Sequence, residues 1–198
     1  MKRQWLITSF EPFAGRPDNN SQLVVDEIKK IIVEIGQTED FSFEFHYLTL
    51  PVEYDRSYVF LNAEIARHKL NLEGILSIGE GAEEFKIETQ ANNLDDVANL
   101  PDNAGVTRVG KKIIPELDPH ATIPLRFPFD AFQRIRTSRN PGYYICNHLC
   151  AKMAHEYATN LDAPYFGFIH VPRTGQGGVF TADVCASMIV NGFRKMGS

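Results

Sequence analysis

Strands that alternate with helices along the chain predict an α/β protein: a single-domain, three-layer α/β/α sandwich with a mostly parallel, twisted sheet. Three observations carry the prediction. Short β-branched and aromatic runs recur between stretches of helical period. The chain has 198 residues, 43% apolar and 23% charged, an ordinary globular composition for one domain. No repeat, linker or shift of composition divides it.

Taken in order, Gln4 to Ser9 is a compact β signal, and the loop Phe10-Glu11-Pro12-Phe13-Ala14-Gly15 follows at once. Two phenylalanines three residues apart are unusual in a loop. Asn19, Asn20 and Ser21 offer capping oxygens to a helix over about 22–35, whose buried face is Val24, Val25, Ile28, Ile31, Ile32 and Ile35. Gly36 stops it. Phe41, Phe43, Phe45 and Tyr47 alternate with polar residues and read as a strand that Pro51 breaks. A helix over about 55–68 and a strand over 72–78 come next, and Gly79-Glu80-Gly81 ends the strand. From Glu83 to about Asp118 regular rhythm is lost in an Asn- and Asp-rich excursion, a length of irregular chain that usually serves function or motion. A helix is expected over about 129–136, a short buried strand at Tyr143-Tyr144-Ile145, and a helix over 149–157. A strand over 164–171 and a helix over about 181–196 complete the chain.

A net charge of −5, with no basic run, argues against a nucleic-acid partner. The apolar run near Met1 is too short for a signal peptide, and no segment is long enough to span a bilayer, so a cytoplasmic protein without a membrane partner is expected. Three cysteines cannot all pair within one chain, and in a reducing compartment their thiols stay free.

Cys146 stands at the expected junction between strand and helix, where the first free N–H groups and the helix dipole favour an anion. Such a place is expected to lower the thiol pKa and favour the nucleophilic thiolate. A thiol nucleophile needs a base and a group that orients it. Of six histidines, His170 is the best placed, at the carboxyl end of the strand holding Phe166-Gly167-Phe168-Ile169, where ligands gather in such folds. His148, two residues beyond Cys146, lies about 200° around a helix and points elsewhere. Spacing alone does not choose the orienting carboxylate. Cys146, His148 and Cys150 do not make a zinc pattern, because His148 lies opposite the cysteines and no second ligand pair follows; no metal or other cofactor is expected. Gly79-Glu80-Gly81 lacks the third glycine and the helix of a dinucleotide fingerprint. Cys150 and Cys185 read as core.

Five motifs in register resemble the pyroglutamyl peptidase I family (pyrrolidone carboxyl peptidases). Ser9-Phe10-Glu11-Pro12-Phe13-Ala14-Gly15 is similar to the family's Gly-Phe-x-Pro-Phe-Gly-Gly opening, with Asn19-Asn20-Ser21 at its Asn-Pro-Ser and Leu50-Pro51-Val52 at its Leu-Pro turn. Glu88 to Asp96 resembles the segment of the catalytic glutamate, closed by Leu100-Pro101-Asp102-Asn103. Cys146-Asn147-His148 and Gly167 to Pro172 match the cysteine and histidine motifs.

The resemblance implies a cysteine exopeptidase, without a metal, that removes an N-terminal pyroglutamyl residue from peptides. It makes Cys146 the nucleophile, His170 the base and Glu88 the group that orients the imidazole. Phe10 and Phe13 would pack on the pyrrolidone ring, Tyr144 and Ile145 would line the same pocket, and Asn19 would reach the lactam edge. It also implies a homo-oligomer, a tetramer in bacterial members. Glu80 stands where the family has a glutamine in Gly-Gln-Ala-Gly-Gly-Arg, and that arginine is absent here. Asn99 likewise replaces the arginine of Ala-Arg-Ile-Pro-Asp-Asn. An ionised glutamate only accepts, whereas glutamine also donates. In the ring-binding place Glu80 would meet a lactam N–H but, unless protonated, repel the carbonyl. These departures leave two other readings open: an amidohydrolase of the same fold acting on another cyclic or N-acyl group, and a non-catalytic binder of a small amide or a protein.

Overall fold

The computed structural model describes residues 2–36, 42–68, 71–81, 83–158, 160 and 162–197. The elements run β1 (Arg3–Phe10), α1 (Asn20–Gly36), β2 (Phe43–Leu50), α2 (Arg56–Arg67) and β3 (Gly74–Glu80). The short strands β4 (Lys86–Glu88), β5 (Gln90–Asn92), β6 (Leu94–Val97), β7 (Arg108–Lys112) and β8 (Thr122–Pro124) follow. A 3-10 turn (Phe129–Phe132), β9 (Arg136–Ser138), α3 (Ile145–Ala158), β10 (Tyr165–Val171) and α4 (Ala182–Gly197) close the chain. A six-stranded sheet with the order β2-β1-β3-β10-β4-β9 forms the middle layer. Its pairs are parallel except β4 against β10. The expected α/β sandwich with a mostly parallel sheet is therefore present.

The period of two along each strand decides what each face of the sheet carries. Trp5 and Ile7 of β1, Leu76 and Ile78 of β3, and Ile169 and Val171 of β10 point to one face. There they pack against Val24 and Ile28 of α1 and Ile189, Val190 and Phe193 of α4. Leu6 and Phe10, Ile75, and Phe166 and Phe168 point to the other, against Leu61 of α2 and Leu149, Cys150 and Met153 of α3. The middle strands are thus apolar on both faces, as covered parallel strands are. Cys150 and Cys185 are buried in these two cores, as expected.

Four local expectations are corrected. Tyr143-Tyr144-Ile145 is not a strand, because Pro141 precedes Gly142 at φ 81° and Asn140 Oδ1 accepts the Gly142 N–H at 3.0 Å, a turn that extended chain does not make. The pairing strand is β9, earlier in the chain. Helix α3 begins at Ile145, four residues before the expected start, so Cys146 lies inside its first turn. The helix expected over 129–136 is one 3-10 turn before β9. The excursion after Glu83 holds four short strands, and β4 joins the central sheet. Strands of only three to five residues, such as Lys86–Glu88 and Gln90–Asn92, carry too little β signal to read. Phe41 lies outside the described residues. Among the described residues no helix is long and apolar enough to cross a membrane.

Candidate active site

The parallel register brings the ends of β1, β3 and β10 to one edge of the sheet, with His170 beside Gly79 and Val171 beside Glu80. His170 has the parity of Phe166 and Phe168, so its ring faces the α3 layer. Antiparallel β4 sets Glu88 opposite Phe168 and Lys86 opposite His170. Glu88 therefore faces the same layer, and its Oε1 lies 2.9 Å from His170 Nδ1. Burial pushes the Glu88 carboxyl up. The hydrogen bond and charge of His170, then the Ser138 hydroxyl and the Lys86 ammonium, bring it below its ordinary value. With Nδ1 on the carboxylate, Nε2 is the imidazole nitrogen left for other chemistry.

Cys146, the second residue of α3, enters this layer from above. Gly79 of β3 and Gly81, just past its end, face the same side. A Cβ on Gly79 would fall 2.9 Å from Cys146 Sγ and 2.6 Å from Phe168 Cζ, and one on Gly81 would fall 3.3 Å from the His170 ring. The glycines on either side of Glu80 therefore make the room that the sulfur and the imidazole occupy. The expectation of a lowered thiol pKa is corrected. Burial, then the carboxylate of Glu88, and less strongly that of Glu80, push the Cys146 thiol up to about 12, although its own backbone N–H acts the other way. Desolvation and two carboxylates oppose what a first-turn position favours.

Phe10, Phe13, Asn19, Glu80, Tyr144 and Ile145 all line one pocket together with Cys146. Phe13 and Tyr144 meet at its mouth with ring centroids 6.2 Å apart. The pocket volume is ≈ 30 Å³, room for about one or two waters. Asn19 is mostly committed: Nδ2 donates to the Glu11 carbonyl at 2.9 Å, and Oδ1 accepts from the N–H and hydroxyl of Ser21. One amide hydrogen of Asn19 remains. On the other side of His170 opens a wider groove of ≈ 460 Å³, bounded by Glu83, Glu84, Lys86 and the Asn140-Pro141-Gly142 turn.

Glu80 has the parity of Leu76 and Ile78, toward α1. Its Oε2 accepts the Asn20 N–H at 2.9 Å, at the start of α1. Its Oε1 pairs with Arg16 Nη2 at 2.6 Å and lies 3.8 Å from Arg173 Nε. Arg16 also lies over the Phe13 ring, 5.0 Å from its centroid. The negative charge that replaces a neutral amide is thus met by two arginines from other parts of the chain. Glu80 Oε2 is hydrogen-bonded, whereas Oε1 is ion-paired but accepts no hydrogen bond.

Motif residues to which the sequence gives no structural role build this edge. Asn147 follows Cys146 and is fully buried, and its side chain pairs with the Asn92 backbone. The Pro101 carbonyl accepts the Tyr144 hydroxyl at 2.9 Å, and Asn103 Nδ2 donates to the Pro12 carbonyl at 3.0 Å. The Leu100 to Asn103 motif is therefore a brace for both sides of the pocket. His148 points away from Cys146, as expected, into a cluster of its own. Its Nδ1 lies 2.8 Å from Asp95 Oδ2 and its Nε2 lies 3.0 Å from Asp55 Oδ1, and Arg108 bridges the two aspartates. Among the described residues no group of three or more His, Cys, Asp or Glu side chains is placed to hold a metal ion.

A sequence profile of the family described as pyroglutamyl peptidase matches residues 3–195. The pyrrolidone-carboxylate peptidase 1 of Caldanaerobacter subterraneus is 32% identical over 179 residues, which cover 84% of this chain and 81% of that protein. The pyrrolidone-carboxylate peptidase of Escherichia fergusonii is 31% identical over 86% of this chain and 78% of its own length. The crystal structure of pyroglutamyl peptidase I from Bacillus amyloliquefaciens superposes with a TM-score of 0.77 at 21% identity, covering 98% of this chain and 95% of that one. That of the Fervidobacterium islandicum pyrrolidone carboxyl peptidase gives 0.74 at 24% identity, covering 96% and 95%. At these identities the two structures speak for the fold. The match over almost the whole length, with relatives above 30% identity, shows that the chain belongs to the pyroglutamyl peptidase family.

Proposed function

We propose that this chain is a cysteine exopeptidase, acting as one domain over residues 1–198, that hydrolyses the amide bond after an N-terminal pyroglutamyl residue. Cys146 is the nucleophile, His170 the base and then the acid, and Glu88 the orienting carboxylate. The observation that carries the reading is the His170 Nδ1 to Glu88 Oε1 hydrogen bond of 2.9 Å, made by a fully buried glutamate beside a Cys146-lined aromatic pocket.

The resting thiol is protonated, since burial and the two glutamates push it up to about 12. The proton therefore leaves as the sulfur attacks. Sγ forms a bond to the pyroglutamyl carbonyl carbon while His170 Nε2 takes the thiol proton, and Glu88 holds the imidazolium through Nδ1. N–H groups of the first turn of α3, which have no partner within the helix, face the developing oxyanion. Collapse breaks the C–N bond, and His170 returns the proton to the departing amine. Water then attacks the thioester carbon while His170 takes its proton; the C–S bond breaks, pyroglutamic acid leaves, and His170 returns the proton to the sulfur.

The flat pyrrolidone ring belongs between Phe10 and Phe13. The pocket admits it when Phe13 and Tyr144 move apart, because ≈ 30 Å³ is too small for a five-membered lactam. The departing peptide lies along the groove on the other side of His170, since the imidazole that protonates its nitrogen borders that groove. A panel of fluorogenic amides tests the assignment. Pyroglutamyl amide is expected to turn over, and prolyl and N-acetylalanyl amides to be cleaved at least about a hundredfold more slowly. Preference for an N-acyl amide would support the other amidohydrolase, and cleavage of none, with an unreactive Cys146, the non-catalytic binder.

A further inference from the structure

Lys86 is a buried-edge cation that the hydrolytic scheme leaves without a role. Its Nζ lies 3.5 Å from Glu88 Oε1, the oxygen that also binds His170 Nδ1 at 2.9 Å. It is opposite His170 in the β4–β10 pairing, and its side chain is 19% exposed. It also donates to the Asn140 carbonyl at 3.2 Å, in the turn that leads to Cys146, and approaches Glu84 at 3.7 Å.

Four carboxylates stand around His170, and cations answer most of them. Glu88 bonds it from β4. Glu80 ends the neighbouring strand β3, and Glu83 and Glu84 share the groove that His170 borders. Among the described residues, α3 contributes the Cys146 thiol, near Gly79. Of the other cations, Arg136 on β9 is taken by Glu84, and Arg16 and Arg173 lie on Glu80. Lys86 is the one of these cations within 4 Å of the orienting carboxylate itself.

We propose that Lys86 is a positioning residue that shares the Glu88 carboxylate with His170 and so keeps His170 in its proton-accepting form at lower pH. The proposal rests on the hydrolytic reading for its consequence in turnover, but its electrostatic content is separate. In Lys86→Met the carboxylate acts on His170 undiluted. The acid limb of kcat/KM for a pyroglutamyl amide then moves to higher pH by about half to one pH unit, while the basic limb stays in place. Lys86→Arg keeps the charge and leaves the acid limb within about 0.2 pH unit of the native position.

The experiment follows these profiles together with the proton NMR titration of the His170 imidazole, assigned with His170→Gln, in native protein and both variants. Matching upward shifts in Lys86→Met, recovered in Lys86→Arg, support the role. An unshifted His170 titration in a folded Lys86→Met protein overturns it, and a uniform loss of rate at every pH marks Lys86 as a pin for the Asn140 turn alone. If the native protein turns over no pyroglutamyl amide, the hydrolytic reading fails, and the NMR titration still decides the role of Lys86.

Discussion

The side chain of Asn147 pairs with the backbone of Asn92 in both directions: Oδ1 accepts the N–H at 2.8 Å, and Nδ2 donates to the carbonyl at 3.0 Å. The same Nδ2 donates to the Leu94 carbonyl at 2.9 Å. One amide therefore fastens the first turn of α3, and Cys146 with it, to the segment that follows Glu88. Asn147→Ala leaves buried backbone groups unpaired, at a cost of about 2–4 kcal/mol. A melting midpoint lower by about 5–10 °C is expected, with kcat falling more than KM rises. An unchanged midpoint and rate would show that the fastening is dispensable.

Glu80 and Glu88 both hold the Cys146 thiol up, Glu88 the more strongly. Neutralising either makes thiolate easier to form. Iodoacetamide is expected to alkylate Cys146 about two- to fivefold faster at pH 8 in Glu80→Gln, and faster still in Glu88→Gln, even though Glu88→Gln loses turnover. Rates of alkylation equal to the native rate in both variants would mean that the carboxylates do not reach the sulfur.

The His148 cluster sets a pH dependence of stability. Burial pushes the His148 imidazole down, but its hydrogen bonds to Asp55 and Asp95 and their charges raise it above its ordinary value. Its contribution is therefore fully present below the unfolded histidine value, about 6.5, and is lost as pH rises through the folded one. The hydrogen bond from His148, and then Arg108, hold the Asp55 carboxyl below its ordinary value, so that contribution is lost only in acid. The midpoint difference between native protein and His148→Asn should be largest near pH 5.5 and shrink by pH 9. A difference that grows toward pH 9 would reverse the sign and refute the account.

How much of this was legible follows from residue parity. Val24, Ile28 and Ile169 announce buried faces by period alone, and five short motifs in order pointed to one family and one edge of the sheet. Residues that act by reach across the chain left no such mark. Arg16 meets Glu80 from 64 positions away and Asn147 meets Asn92 from 55. Glu88 was nominated by resemblance rather than by pattern, because β4 is three residues long and pairs antiparallel in a parallel sheet. The thiol was misread because its position on α3 is visible from spacing, whereas the two carboxylates that oppose the helix dipole are visible only in three dimensions.

Gly79 tests the packing that seats the nucleophile. Gly79→Ala puts a methyl 2.6 Å from Phe168 Cζ and 2.9 Å from Cys146 Sγ, so one of them must shift. A loss of kcat/KM of at least about tenfold is expected in a protein that still folds. Native kcat/KM in Gly79→Ala would show that the sulfur has room to spare.

The most direct measurement is release of a fluorescent amine from a pyroglutamyl amide by native protein, Cys146→Ala and Cys146→Ser side by side. Turnover by the native protein that disappears in Cys146→Ala, and remains below about a thousandth in Cys146→Ser, is the expected result. Undiminished release by Cys146→Ala would contradict the assignment of Cys146 as the nucleophile.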